Sequence, residues 1–188
     1  DDIDRMKSRI DNLTATTSTY TYGDANHPHA VTDVSTGGTY TYNAVGAMAT
    51  RAGTGLTYDA MQRLHAYAGE TYLQSTTNQR LVKQTASGRT LYLGEIEVFT
   101  NGAVRTVTRY LSIGGAMVAI KTTTAGTSNV MWSCGSLQNS ITCQAPTNGT
   151  TPALKRYLPY GGARNTVTTP NTERGFLGQT SDATGLAY

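Results

Sequence analysis

The chain has 188 residues, 38% of them hydrophobic and only 14% charged, with a net charge of +3. That length suffices for one ordinary domain with a real core, and Thr and Tyr, both prominent, suit half-buried pleated surfaces. The basic residues are scattered, densest in RLVK (Arg80–Lys83) and LKRY (Leu154–Tyr157), with no interleaved aromatics, which speaks against nucleic-acid binding; no apolar run approaches the ~18 residues of a membrane span. A surface solvated by hydroxyls and amides rather than Lys and Glu is commoner outside cells. The chain opens at Asp1 without a signal peptide and reads as a piece of something longer.

In chain order, the opening DDIDRMKS (Asp1–Ser8) aligns with DAMQRLHA (Asp59–Ala66), so the first residues fall inside a repeat. IDRMKSRIDNL (Ile3–Leu13) has helical spacing, yet this alignment predicts a strand there. Three fuller copies follow: TYTYGDANHPHAV (Thr19–Val31), TYTYNAVGAMATRAG (Thr39–Gly53) and LTYDAMQRLHAYAG (Leu56–Gly69). A fourth, TYLQSTTNQRLVKQT (Thr71–Thr85), keeps the frame with Gln74 and Ser75 in place of Tyr and Asp, and with Arg80 in the register of Arg63. Tyr-x-Tyr on a strand puts both rings on one face, a polar turn follows, and Arg, Met or Leu starts the return strand. One copy is one hairpin, marginal alone in water; neighbouring hairpins must stack to cover the tyrosines. Tyr20, Tyr22, Tyr40, Tyr42 and Tyr58 are therefore assigned to packing between hairpins. A glycan-binding aromatic ladder is the alternative reading.

Beyond residue 85 the repeat blurs but strands continue. RTLYLGEIEVF (Arg89–Phe99) and AVRTVTRYLSI (Ala103–Ile113) flank TNGA (Thr100–Ala103), whose Asn-Gly predicts a hairpin turn. GAMVAIKTTT (Gly115–Thr124), NVMWSC (Asn129–Cys134), a turn at TNGT (Thr147–Thr150) and ALKRYLPYGG (Ala153–Gly162) follow, with no convincing long helix. Trp132 reads as a core or seam residue. Cys134 and Cys143, in SCGSLQNSITC, do not have a zinc spacing. A hairpin turning at Gln138-Asn139 brings them face to face, so they are either a disulfide, which implies an oxidising compartment, or two buried thiols.

His27 and His29 would share one face of an extended chain, with Asp24 and Asp33 as oxygen donors, but no third His or Cys is near and a metal or catalytic role is not assigned. Asp1, Asp2, Asp4, Asp59 and Asp182 read as turn residues capping local N–H groups rather than an acid–base pool. Glu95 and Glu97 read as a solvated strand face. The Asn12 and Asn148 tripeptides fit a glycosylation sequon of a kind common by chance. No nucleophile elbow, phosphate loop or zinc ligand set appears.

The Tyr-Asp units, best seen in TYDAMQRL (Thr57–Leu64), resemble the YD repeats of Rhs proteins, also found in toxin-complex C proteins and teneurins. HPHAVTDV (His27–Val34) resembles a His-Ala-Val-Thr segment that recurs there, and RTLYLGEIEV, RYLSIGGAMVAIKT and RYLPYGGAR keep the order such proteins show. RGFLGQTSDATGLAY (Arg174–Tyr188) is similar to the start of the Rhs core-terminal motif. SLQNS (Ser136–Ser140) departs from the family, which often has Asp-His-x-Gly-Ser at that turn. The family motif also runs on to a self-cleavage site and a variable toxin, neither of which is assigned to residues of this chain.

The resemblance implies an all-β fold: antiparallel YD hairpins forming a curved strip of a β-cocoon, with hairpins over 1–85 and a core-terminal β-region over 86–188. It implies structural roles for His29, Asp59, Arg63, Arg174, Gly178, Asp182 and Gly185. It implies a non-catalytic shell segment of a secreted or cell-surface polymorphic toxin, without cofactor or metal. Its partners would be the rest of its own shell and a C-terminal effector. Identical copies in an extracellular filament are the alternative.

Overall fold

The computed structural model describes residues 5–12, 14–158, 161–166 and 172–186. Asp1, Asp2, Asp4 and Tyr188 lie outside the described residues. The chain is all-β and antiparallel, apart, among the described residues, from one 3-10 turn at Phe176–Gly178. It divides into two compact units, Asp1–Asn78 and Gln79–Tyr188.

The first unit is a meander in which each strand pairs with the next: β1 (Ser8–Asp11), β2 (Thr16–Thr21), β3 (Asp33–Val34), β4 (Gly38–Tyr42), β5 (Met48–Arg51), β6 (Thr54–Tyr58), β7 (Leu64–Tyr67) and β8 (Glu70–Gln74). The opening segment is thus a strand from Ser8, in line with its place in the repeat. The second unit continues in the same manner with longer strands: β9 (Arg80–Thr85), β10 (Gly88–Leu93), β11 (Ile96–Asn101), β12 (Val104–Ile113), β13 (Ala116–Thr124), β14 (Thr127–Gly135), β15 (Ile141–Pro146), β16 (Ala153–Tyr157) and β17 (Ala163–Thr166). No described ladder joins the first strand of either unit to its last, so each sheet is open. The Asn-Gly hairpin turns one residue later than expected: Asn101 pairs with Val104, and Gly102 takes the left-handed conformation at φ 55°.

One turn recurs and explains the repeat. In Asn43–Ala47, Asp59–Arg63 and Ser136–Ser140 the first residue's N–H donates to the fifth residue's carbonyl, and the fourth residue's N–H donates back to the first. Leu158–Gly162 and Asp182–Leu186 close in the same way. The fourth position has positive φ throughout, occupied by Gly46, Gln62, Asn139, Gly161 and Gly185, and Asn78 holds it in the fourth copy. Glycine and the amide residues populate this region at least cost. In two of these turns the first residue caps the loop with its side chain: Asp59 Oδ1 accepts from the Met61 and Arg63 amides at 2.9 and 3.0 Å, and Asn43 Oδ1 accepts from Val45 and Ala47 at 3.1 and 2.9 Å. These are the Asx turns that Asp and Asn favour. By this frame Gln79, not Arg80, stands at the Arg63 position. Arg80 takes the place of Leu64, the first residue of the return strand, and its side chain is 4% exposed.

Between the register shifts of the second unit, the ladders fix which residues share a face. Tyr92, Glu97, Thr108 and Thr122 form one cross-strand row and Tyr110 with Ile120 starts the next, on the covered face. Tyr110, Ile120 and Ile141 make a small apolar core there, with Met117 against it. Trp132 is the neighbour of Met131 and points to the other face, where it is 55% exposed, so it is neither core nor seam.

Candidate functional site

A single stitch repeats between successive hairpins. The Tyr just before each turn donates its hydroxyl to a main-chain carbonyl of the preceding hairpin: Tyr22 to Met6 at 2.9 Å, Tyr42 to Val31 at 2.7 Å, Tyr58 to Met48 at 2.7 Å. In the second unit Tyr157 does the same to Ile141 at 2.8 Å. Gln74, at a Tyr position, reaches the Leu64 carbonyl with its amide at 3.3 Å, so the degraded copy keeps the bond with a different donor. Met48, Leu64 and Ile141 are the residues that open their return strands, and the ladder shifts register opposite each of them. Tyr42 and Tyr58 are half-buried rather than buried as the stacking argument anticipates, and burial pushes both phenols above their ordinary value. Of the first tyrosines in each Tyr-x-Tyr pair, Tyr20 is half-buried opposite Val34, and the Tyr40 hydroxyl turns back to the Gly37 carbonyl at 3.2 Å. Arg63 braces its own turn through Asp59, Nε to Oδ2 at 2.8 Å, and reaches on to the Ser75 carbonyl. The Arg63 hydrogen bond, aided by turn amides, holds the Asp59 carboxyl below the usual range.

The histidine cluster is local structure. His27 Nδ1 meets Asp24 Oδ2 at 2.9 Å, and the Ala30 amide returns to the His27 carbonyl at 2.9 Å. The segment is therefore a turn, not the extended run that would put both rings on one face; His27 is half-buried and His29 is exposed. The His27 hydrogen bond is the main reason the Asp24 carboxyl lies below its usual range. Among the described residues no group of three or more His, Cys, Asp or Glu is placed to hold a metal ion.

The densest chemistry lies on the covered face of the second unit, where residues 172–186 fold back onto the sheet. Asp182, with a fully buried side chain, takes a fork from Arg80, Nη1 to Oδ1 and Nη2 to Oδ2, both at 2.8 Å. Lys83 Nζ reaches Asp182 Oδ1 at 3.1 Å and both oxygens of Glu173 at 2.8 and 2.9 Å. Bidentate, charge-assisted pairs of this kind fix geometry as well as sign. Burial by itself would lower the Lys83 ammonium's pKa, but the Glu173 bond and the surrounding negative groups raise it above the usual lysine range. Tyr92, against Arg80 and Lys83, is pushed up to about 12, chiefly by burial.

Arg174 anchors the other end of the segment. Its guanidinium lies 3.9 Å from the centroid of the Tyr110 ring, donates to the Gly94 carbonyl at 2.9 Å and meets Glu95 at 3.2 Å and Glu97 at 3.7 Å. Arginine over an aromatic face is a cation–π contact. Glu97 is 7% exposed, which overturns its assignment to a solvated face; Glu95, its neighbour on the same rim, stays open to solvent. Burial raises the Glu97 pKa against the pull of Tyr110 and Arg174. A cavity of about 540 Å³ opens beside it, floored by Thr90, Phe99, Thr106 and Thr108. Between the two anchors, the Leu177 amide donates to Ser140 Oγ at 2.9 Å and the Ile141 amide to the Gly175 carbonyl at 3.0 Å. Phe176 packs against Tyr157 in a tilted ring pair, centroids 5.5 Å apart, and Gly178 lies beside Asn139.

Asp182 is thus an ion-pair residue in addition to opening its turn with Gly185, a role that local sequence does not reveal. Arg80, Lys83, Glu97 and Glu173 carry no local sequence signal for this site beyond the RLVK run. Cys134 and Cys143 stand opposite in the ladder, Cα atoms 5.0 Å apart, joined as a disulfide.

No protein-family model matches the chain, and no curated protein sequence does. Solved structures do. A mutant Tc holotoxin pore of Photorhabdus luminescens matches at TM-score 0.63 and 20% identity, covering 92% of this chain and 11% of that one. A TcdB2–TccC3 crystal structure matches at TM-score 0.65 and 19% identity, again over 92% of this chain and 11% of the other. At such identities the likeness establishes the fold. The chain spans about a ninth of the length of these neighbours.

Proposed function

We propose that the chain is a non-catalytic wall segment of an Rhs-type toxin shell, secreted or displayed at a cell surface, in which hairpins enclose a C-terminal effector. The observation that carries this reading is the stitch from each hairpin's Tyr to the carbonyl of the hairpin before it, in a fold shared with chains of Tc toxin assemblies. It couples neighbours only, so it builds extended sheet rather than a closed globule. Gln74 keeping the bond where the sequence motif has decayed supports selection for the stitch itself. The division into hairpins over 1–85 and a core-terminal region over 86–188 belongs to the same proposal. So does the role of Arg174, Gly178, Asp182 and Gly185 in seating the terminal motif against the wall. The hydroxyls of Tyr22, Tyr42 and Tyr58 are committed to carbonyls, which leaves less for a glycan ladder to use.

Electron microscopy of the native protein tests the proposal. Density for these residues in the wall of a hollow particle is the expected result. An ordered fibre would move the assignment to the self-assembling filament. A solid particle with no enclosed volume would overturn both.

A further inference from the structure

We propose that the Cys134–Cys143 disulfide is a redox-sensitive latch on residues 175–177, so that a dithiol reductant loosens this stretch of the C-terminal segment while leaving its two ionic anchors in place. The latch follows from the fold alone and does not depend on the shell reading. The bond crosses β14 and β15 at the last pair before the register shift, with only Gly135 and Ile141 paired between it and the Ser136–Ser140 turn. The two residues that hold the segment's middle, Ser140 and Ile141, lie inside the loop it closes. They are 4% and 1% exposed, so their bonds to Leu177 and Gly175 are shielded from water.

The ladder shift between Cys134 and Gly135 places Thr142 as an extra residue on β15. One extra residue inverts the alternation of faces. Ile141 therefore points into the core with Tyr110 and Ile120, while Cys134 lies exposed on the face that also carries Trp132. A thiolate can reach the sulfur from outside without disturbing the covered face.

The turn itself is poorly held without the cross-link. At the equivalent turn Asp59 caps the amides at 2.9 and 3.0 Å and is braced by Arg63. Here Ser136 Oγ accepts from the Gln138 and Ser140 amides at 3.3 Å each. Asn139 occupies the left-handed position at φ 59°, as Gln62 does at φ 59° in the Asp59 turn. The disulfide supplies the order that the side chains do not.

The chemistry is a thiol–disulfide exchange. A dithiol donates two electrons; its first thiolate attacks one cysteine sulfur, its second resolves the mixed disulfide, and two protonated cysteines and the oxidised reductant result. Arg174 on Tyr110 and Asp182 on Arg80 flank the freed stretch, so residues 175–179 would bow away from the sheet rather than dissociate. Oxidised outside cells and reduced in cytosol, the segment would change state on passing between them.

Hydrogen exchange with mass-spectrometric readout of the native protein, before and after dithiothreitol, tests the latch. Peptides containing Ile141 and Leu177 are expected to exchange about 10- to 100-fold faster after reduction, the range a short-loop disulfide allows, while peptides of β9–β11 change less than about twofold. The double variant C134S/C143S should match the reduced protein and not respond to reductant. If it fails to fold, reduction of the folded native protein still decides. Unchanged exchange at Leu177, equal acceleration throughout the second unit, or two free thiols in the native protein would each overturn the proposal.

Discussion

Replacing Asp182 by Asn removes one charge and almost no volume, and it strikes where the second unit concentrates its electrostatics. The Asp182 side chain is fully buried, and it receives both arms of Arg80 at 2.8 Å and Lys83 at 3.1 Å. At an effective dielectric near 20, unit charges about 4 Å apart attract by ~4 kcal/mol. Lys83 retains Glu173 in the variant, so the loss falls mainly on the buried Arg80 guanidinium. Removing one member of a buried pair costs about 3–5 kcal/mol, and about 3 kcal/mol is the expected loss for D182N by urea unfolding followed by circular dichroism. D59N is the control. It also removes a carboxylate from a turn, but from one at the surface with its arginine four residues away, so a much smaller loss is expected. Converting both partners to apolar residues, R80M with D182L, should recover most of the stability because both buried charges are then removed together. A D182N loss no larger than that of D59N would refute the claim that this pair holds the C-terminal segment.

Three further outcomes are expected. Tyr58→Phe keeps the ring and deletes the bond to the Met48 carbonyl, for a loss of about 1 kcal/mol in urea titration; no loss would mean the stitch is decorative. Gly161→Ala places a methyl 2.8 Å from Phe176 Cδ1 at φ 83°, so a fall in stability beyond the ~1 kcal/mol of backbone strain alone is expected, with partial recovery on adding Phe176→Leu. Tyr92 and Lys83 both hold their protons more tightly folded than unfolded, Tyr92 up to about 12. Their contribution is therefore full below about pH 10 and is lost as pH rises toward 12, about 2–3 kcal/mol for Tyr92. Unfolding midpoints measured across that range should fall in the native protein and fall less in Tyr92→Phe.

The hairpin array was legible because its determinants are local. Tyr-x-Tyr, an Asp, Asn or Ser at the turn's head and a residue tolerant of positive φ three places on all sit within a few residues of one another. The fourth copy is one position out of the register its sequence suggests, since Arg80 looks like Arg63, whereas the turn aligns Gln79 there. The ionic site was not legible for the opposite reason. Arg80 and Asp182 are 102 residues apart, and nothing near either names the other. Glu97 illustrates a second limit. Alternation on a strand tells which residues share a face but not which face is covered, and Arg174 over Tyr110 is what closes that side. The extended reading of the histidines meets a similar limit, since the Asp24 side chain pulls the chain into a turn there.

The Tyr stitch has a direction. In each case the acceptor carbonyl precedes the donor in the chain, Met6 before Tyr22, Val31 before Tyr42, Met48 before Tyr58 and Ile141 before Tyr157. On a ribosome the carbonyl has already emerged, on a hairpin already closed, when its tyrosine arrives. Growth of the sheet is then vectorial, each new hairpin adding to a finished neighbour, and no bond of this set must wait for residues still to be made. A circularly permuted chain breaking one stitch would have to close it last, across the greatest possible loop, and should refold more slowly than the natural order for that reason alone.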